Sequence, residues 1–114
     1  MYWLEIGFVN DIPRRGARCL NTPRGRVAVF RTAYDEYFAL EDRCPHRGGP
    51  LSQGIVHDRQ VTCPLHNWVI ALDTGEATGA DHGQVARFPV RVEGGALLIG
   101  FESAQPASGE RSAA

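Results

Sequence analysis

Phe88-Pro89-Val90-Arg91-Val92-Glu93-Gly94-Gly95-Ala96-Leu97-Leu98-Ile99 is the stretch that decides the fold class. Phe88–Val92 and Ala96–Ile99 are short apolar runs on either side of a glycine pair. Two adjacent glycines supply the positive φ angles that a two-residue hairpin turn requires. Val90 and Val92 then share one face with Leu97 and Ile99 across the turn, the period-2 pattern of a strand with one buried side. Working outward, the same grammar recurs. Trp3–Val9 is a first strand, broken by Asn10-Asp11-Ile12-Pro13. Ala17–Asn21 and Arg26–Thr32 flank Thr22-Pro23-Arg24-Gly25, a tight-turn sequence, and Val27 and Val29 fall on one face. Tyr37–Glu41 follows a polar turn at Asp35-Glu36, and Gln60–Thr62 and Trp68–Leu72 are shorter candidates. Five to nine short strands and no convincing helix predict an all-β domain, a small sandwich or barrel.

The 114 residues suit one domain, and 13 Gly with 7 Pro favour turns over long helices. Twelve basic residues, all Arg, against 13 acidic ones give a net charge of −1. That balance argues against a general nucleic-acid or anionic-membrane binder. No apolar run approaches the roughly 20 residues that span a bilayer, and Met1-Tyr2-Trp3-Leu4-Glu5 lacks a signal-peptide layout. A cytoplasmic location is the simplest expectation. From Glu102 to Ala114 the composition turns to Ser, Ala, Gly and Gln, which predicts a disordered tail after an ordered domain of residues 1–101.

Between Asp42 and about Asp58 the chain reads as a long irregular segment, and loops of that length are usually functional or disordered. It opens with Cys44-Pro45-His46, and Cys63-Pro64-Leu65-His66 follows after the next strand. Each segment offers one thiolate and one imidazole, both good ligands for late first-row metals. Pro45 and Pro64 fix φ beside the cysteines, and Gly48 and Gly49 let the backbone curl so that amides face sulfur. Three Cys are too few and too odd a number for a disulfide framework. A structural zinc site usually pairs Cys with Cys and His with His. Here each loop is mixed, which suits a 2Fe-2S cluster with both Cys on one iron and both His on the other. A zinc-stabilised binding module is the alternative of another class.

Cys44-Pro45-His46-Arg47-Gly48-Gly49-Pro50-Leu51 and Cys63-Pro64-Leu65-His66-Asn67-Trp68 resemble the two cluster-binding boxes of Rieske 2Fe-2S proteins. The resemblance implies three stacked antiparallel sheets with both loops at one tip. It implies Cys44 and Cys63 as ligands of one iron, and His46 and His66 as ligands of the other. Gly49-Pro50-Leu51-Ser52-Gln53-Gly54-Ile55-Val56, His66-Asn67-Trp68, Leu72-Asp73-Thr74-Gly75-Glu76-Ala77 and Phe88-Pro89-Val90-Arg91-Val92-Glu93 are further similar to the small subunit of assimilatory NAD(P)H-dependent nitrite reductase. That likeness implies a large partner carrying FAD, siroheme and a 4Fe-4S cluster, with this chain shuttling electrons and not catalytic alone. Ferredoxins that serve ring-hydroxylating oxygenases and their reductases share the same boxes, and are the alternative partner class.

Respiratory members of the family carry an extra Cys in each box, at the positions of Gly49 and Leu65, and sulfur-bonding Ser and Tyr residues at the positions of Trp68 and Ile70. With fewer donors to sulfur, a potential near about −150 mV is expected. It should stay above the roughly −400 mV of four-thiolate ferredoxins. The imidazole ligands imply a potential that depends on pH in the alkaline range. Among other residues, Cys19 reads as a buried inert thiol, and His57 and His82 as solvated surface histidines. Trp68 reads as packing beneath the cluster loop. Arg43 and Arg47 flank the first box, as partner contacts or as solubilising charges. Pro50 and Leu51 shield the site from water.

Overall fold

The computed structural model describes residues 2–45, 48–65, 67–78 and 83–101. Ten strands form along the chain: β1 (Tyr2–Phe8), β2 (Gly16–Thr22), β3 (Gly25–Arg31), β4 (Tyr37–Glu41), β5 (Ile55–His57), β6 (Gln60–Thr62), β7 (Val69–Ala71), β8 (Arg87–Phe88), β9 (Val90–Glu93) and β10 (Ala96–Phe101). They make three antiparallel sheets, ordered β1-β10-β9, β2-β3-β4-β8 and β5-β6-β7. The helical content of the described residues is two single 3-10 turns, Val9–Asp11 and Leu51–Gln53. The fold is therefore all-β, as the turn-rich composition predicts.

Strand β3 explains the layering. Val27, Ala28, Val29 and Phe30 are all fully buried. Val27 and Val29 join a cluster with Ile12, Ala39, Leu97, Ile99 and Phe101, toward the β1-β10-β9 sheet. Ala28 and Phe30 point the other way, into a cluster with Leu51, Val56, Val61, Ile70 and Leu72, toward the β5-β6-β7 sheet. A strand covered on both faces reads as a continuous apolar run, because alternate side chains enter different cores. The middle sheet thus carries the other two, one on each side.

The hairpin is as expected. Val90 pairs with Ile99 and Val92 with Leu97, and Gly94 and Gly95 hold φ of 58° and 83°. Both angles lie in the left-handed region that a two-residue turn needs and that glycine enters without steric cost.

Four local expectations are corrected. Val9 lies in a 3-10 turn and not in β1. The stretch Trp68–Leu72 contracts to β7, because a turn closed by the Gly75 N–H on the Ala71 carbonyl, 2.7 Å, begins at Leu72. Phe88–Val92 is two strands: Pro89 has no N–H to donate, so β8 joins β4 while β9 joins β10 in another sheet. The segment from Asp42 to Asp58 is also more regular than expected. It contains the turn at Leu51–Gln53 and strand β5, whose Val56 pairs with Val61. Strand β10 runs to Phe101, and residues 102–114, where a disordered tail is expected, lie outside the described residues.

Candidate metal centre

The two Cys-Pro loops leave neighbouring places in the fold. Cys44 follows β4 by three residues, and Cys63 follows β6 directly. Each loop is pinned in the same way. The Cys44 N–H donates to the Gly49 carbonyl (2.8 Å), and the Cys63 N–H donates to the Trp68 carbonyl (2.7 Å), five residues downstream in both cases. The Gly48 N–H returns to the Cys44 carbonyl, 2.8 Å. Gly48 sits at φ 72° and Asn67 at φ 58°. Glycine and asparagine are the residues that enter this left-handed region most readily, so the local sequence suits the tight curl.

Cys44 and Cys63 are 1% and 0% exposed and lie in one apolar cluster with Leu51, Val61 and Ile70. The Cys44 thiol lies near enough to act on the ionisation of Cys63. Burial pushes the Cys63 thiol above its ordinary range, and the Cys44 thiol adds to that; the Leu65 N–H, 3.4 Å from Cys63 Sγ, opposes it. Two thiols held together away from water are expensive to ionise without a cation between them. A metal held between Cys44 and Cys63 would supply that cation and stabilise both thiolates.

The remaining geometry also fits a cluster. A Cβ on Gly49 would lie 3.2 Å from Cys63 Sγ and 2.9 Å from Leu65 Cδ1. The absence of a side chain there keeps the space beside the sulfur open. Leu51 is fully buried beneath the loop, Pro50 is half-buried, and Leu65 is 43% exposed at the surface. The cysteines of the described residues are all free. Candidate ligands His46 and His66, together with Arg47 and His82, lie outside the described residues. Within the described residues no group of three His, Cys, Asp or Glu converges on one point.

Trp68 packs against the apolar cluster that holds both thiols, as expected, and a Cβ at Gly83 would meet both Trp68 and Pro45, so Gly83 lies close to both boxes. Two side chains differ from expectation. Cys19 is half-buried, not buried, and the Arg26 guanidinium lies 3.0 Å from its Sγ. Burial is the larger influence on that thiol and raises it, with Asp42 adding and Arg26 opposing. His57 is half-buried rather than solvated, with Nε2 2.7 Å from Thr62 Oγ1 across the β5–β6 pair.

One functional residue escaped the sequence reading. Asp42, two residues before Cys44, has a fully buried carboxylate. Its Oδ1 accepts from the Ser52 N–H (2.8 Å) and its Oδ2 from the Ser52 hydroxyl (2.7 Å). This clasp closes the base of the whole first loop. The nearest sequence signal is an Asp just after β4 with a Ser ten residues on, which is too common to single out.

A three-sheet all-β frame with two buried cysteines on two pinned loops suits a metal-binding domain. The chain matches the Rieske-like 2Fe-2S domain over residues 2–100 and belongs to that family, whose cofactor is a 2Fe-2S cluster. Over 100 residues it is 35% identical to the 3-phenylpropionate/cinnamic acid dioxygenase ferredoxin subunit of Escherichia coli K12, covering 86% of this chain and 92% of that one. It is similar in structure to a chain in the complex of reduced oxygenase and oxidised ferredoxin of carbazole 1,9a-dioxygenase (TM-score 0.78, 25% identity, 85% of this chain and 100% of that one). It is equally similar to a protein described as the NADH-dependent nitrite reductase small subunit from Mycobacterium tuberculosis (TM-score 0.78, 25% identity, 86% and 93% covered). The chain is thus a Rieske electron-transfer domain of the kind found in oxidoreductase systems. Among the described residues no helix is long and apolar enough to cross a membrane.

Proposed function

We propose that this chain is a Rieske ferredoxin that passes single electrons from a reductase to an oxygenase. The observation that carries the reading is the 35% identity, over nearly the full length of both chains, to a dioxygenase ferredoxin subunit, taken with the paired buried thiols of Cys44 and Cys63. In this reading Cys44 and Cys63 hold one iron and His46 and His66 the other. When bound, the cluster accepts and releases one electron at a time. The chain's own residues do the rest. Leu51 and the apolar cluster exclude water from the thiolates, the Leu65 N–H donates to Cys63 Sγ, and the Asp42–Ser52 clasp fixes the first loop. The three free cysteines suit a reducing compartment such as the cytoplasm.

The second reading, the electron-carrying small subunit of an NAD(P)H-dependent nitrite reductase with a large siroheme partner, is supported by the structural likeness at 25% identity. It rests on a more distant relative than the ferredoxin reading, which therefore takes precedence over the expectation from the sequence motifs. A single experiment separates them. The reduced protein is mixed anaerobically with a purified oxygenase component or with a siroheme subunit. Rapid reoxidation by the oxygenase alone, abolished by Cys63→Ser, supports the ferredoxin. Reoxidation by the siroheme subunit alone transfers the function to nitrite reduction.

A further inference from the structure

The arginines of this chain are not evenly neutralised. Arg14, Arg18, Arg31, Arg59 and Arg91 each pair with a solvent-accessible Asp or Glu. Arg26 differs: its guanidinium is 60% exposed, while its partner Asp42, 3.6 Å away, has no exposed side-chain surface. Asp42 is held inward by Ser52, so the positive charge faces solvent and the negative one does not. Arg24, Arg43 and Arg87 are exposed and make no ion pair among the described residues. Arg87 is oriented by donating to the Asp73 carbonyl, 2.8 Å.

These four cations line two hollows that meet at Glu41. Arg24 and Arg87 line a hollow of about 390 Å³ with Glu41, Phe88 and Pro89. Arg26 and Arg43 line another of about 350 Å³, with the same Glu41, Gly48 and Pro50. Glu41 is the common wall and the one carboxylate of the ridge that retains surface, being half-buried. The ridge therefore runs from the end of the middle sheet to Gly48 and Pro50 of the first box, with a clear positive excess in a chain whose net charge is only −1.

We infer that Arg24, Arg26, Arg43 and Arg87 form a docking face for an acidic surface on the redox partner protein. The inference rests on the electron-carrier reading above and adds the charge of the partner to it. Charge complementarity selects the occupant: an anionic patch seated on the ridge brings the partner against the loop that carries Cys44. Such a patch gains most in encounter rate, because exposed charges steer association more than they hold a complex. Nucleic acid has no electron to exchange at that loop, so a protein is the occupant that uses both features.

The test uses a fluorescent ten-residue glutamate peptide and the cluster-loaded protein. Anisotropy should show binding that weakens roughly tenfold between about 10 mM and about 500 mM salt. The double variant Arg24→Glu, Arg43→Glu should lose it. Neither guanidinium holds a hydrogen bond among the described residues, so the variant should fold, and an unchanged visible spectrum checks this. In stopped flow, ferricyanide takes one electron from the reduced protein, its iron(III) becoming iron(II). That rate should fall with salt and with added glutamate peptide in the wild type, and much less in the variant. Equal peptide binding by both proteins, or a ferricyanide rate indifferent to salt, overturns the inference. So does tighter binding of duplex DNA than of the peptide. A wild-type protein without iron and sulfide but with intact peptide binding would instead overturn the electron-carrier reading and leave the cationic ridge standing.

Discussion

The Asp42 carboxylate and Ser52, ten residues apart, are joined by two hydrogen bonds of 2.8 and 2.7 Å at a site with no solvent exposure on the Asp42 side chain. Removing the carboxylate with Asp42→Ala leaves the Ser52 N–H and hydroxyl without that acceptor. The expected cost is about 1–3 kcal/mol, the usual penalty for a stranded buried polar group. Ser52→Ala removes one bond only and should cost about 1 kcal/mol. Urea denaturation gives both values, and iron retention against a chelator should fall in the same order. Equal stability of Asp42→Ala and wild type would show that the clasp contributes nothing.

Gly49 is required for its lack of a side chain, not for its backbone angle. A methyl at Gly49 would press on Leu65 Cδ1 at 2.9 Å and on Cys63 Sγ at 3.2 Å. Leu65 is partly exposed and can swing away; the sulfur cannot. Gly49→Ala should lower iron and sulfide content per chain, and Leu65→Ala should rescue it only in part. Complete rescue would locate the conflict at Leu65 alone.

Acid should release the anchor of the β3–β4 turn. Arg14 donates to Asp35 from Nε at 2.9 Å and Arg31 from its terminal nitrogen at 2.8 Å, and these bonds hold the Asp35 carboxyl below its ordinary 3.8. A carboxyl whose folded pKa is depressed contributes stability above its unfolded pKa and loses it as pH falls through the folded one. Between about pH 5 and about pH 3 the melting temperature of the wild type should therefore drop more steeply than that of Asp35→Asn. Parallel curves would exclude the link.

How much of this was legible in the sequence depends on the range of the interaction. Tyr37–Glu41 and Gln60–Thr62 have the strand bounds that their residues suggest, and the Gly94-Gly95 hairpin has the register that its valines set. β5 escaped notice because three residues inside a glycine- and proline-rich stretch carry no readable period; pairing with β6 makes it a strand. Pro89 broke a run that looked continuous, since a missing N–H matters only once the neighbouring strand is known. At the site, Cys44 and Cys63 were legible through their spacing. Asp42, Ser52 and the arginine ridge were not, because the fold, not the local sequence, brings Arg26 of β3 beside the end of β4.

Among the described residues few donors reach the box sulfurs. Within the described residues the Leu65 N–H is the one backbone donor to Cys63 Sγ, and Ile70 is a buried hydrocarbon where respiratory relatives place a hydroxyl. Voltammetry should place the midpoint potential toward the low end of the Rieske range, near about −150 mV and above roughly −400 mV. A value well above zero would contradict this and mean that more donors reach the sulfurs.

The central claim is that two thiolates hold one iron and two imidazoles its neighbour. Pulsed EPR of the dithionite-reduced protein, prepared anaerobically with two iron and two sulfide per chain assayed alongside, tests it most directly. The account predicts a Rieske-type signal coupled to two histidine nitrogens, with one coupling lost in each of His46→Cys and His66→Cys. A reduced protein that contains zinc and no sulfide, or a signal free of nitrogen coupling, would contradict it.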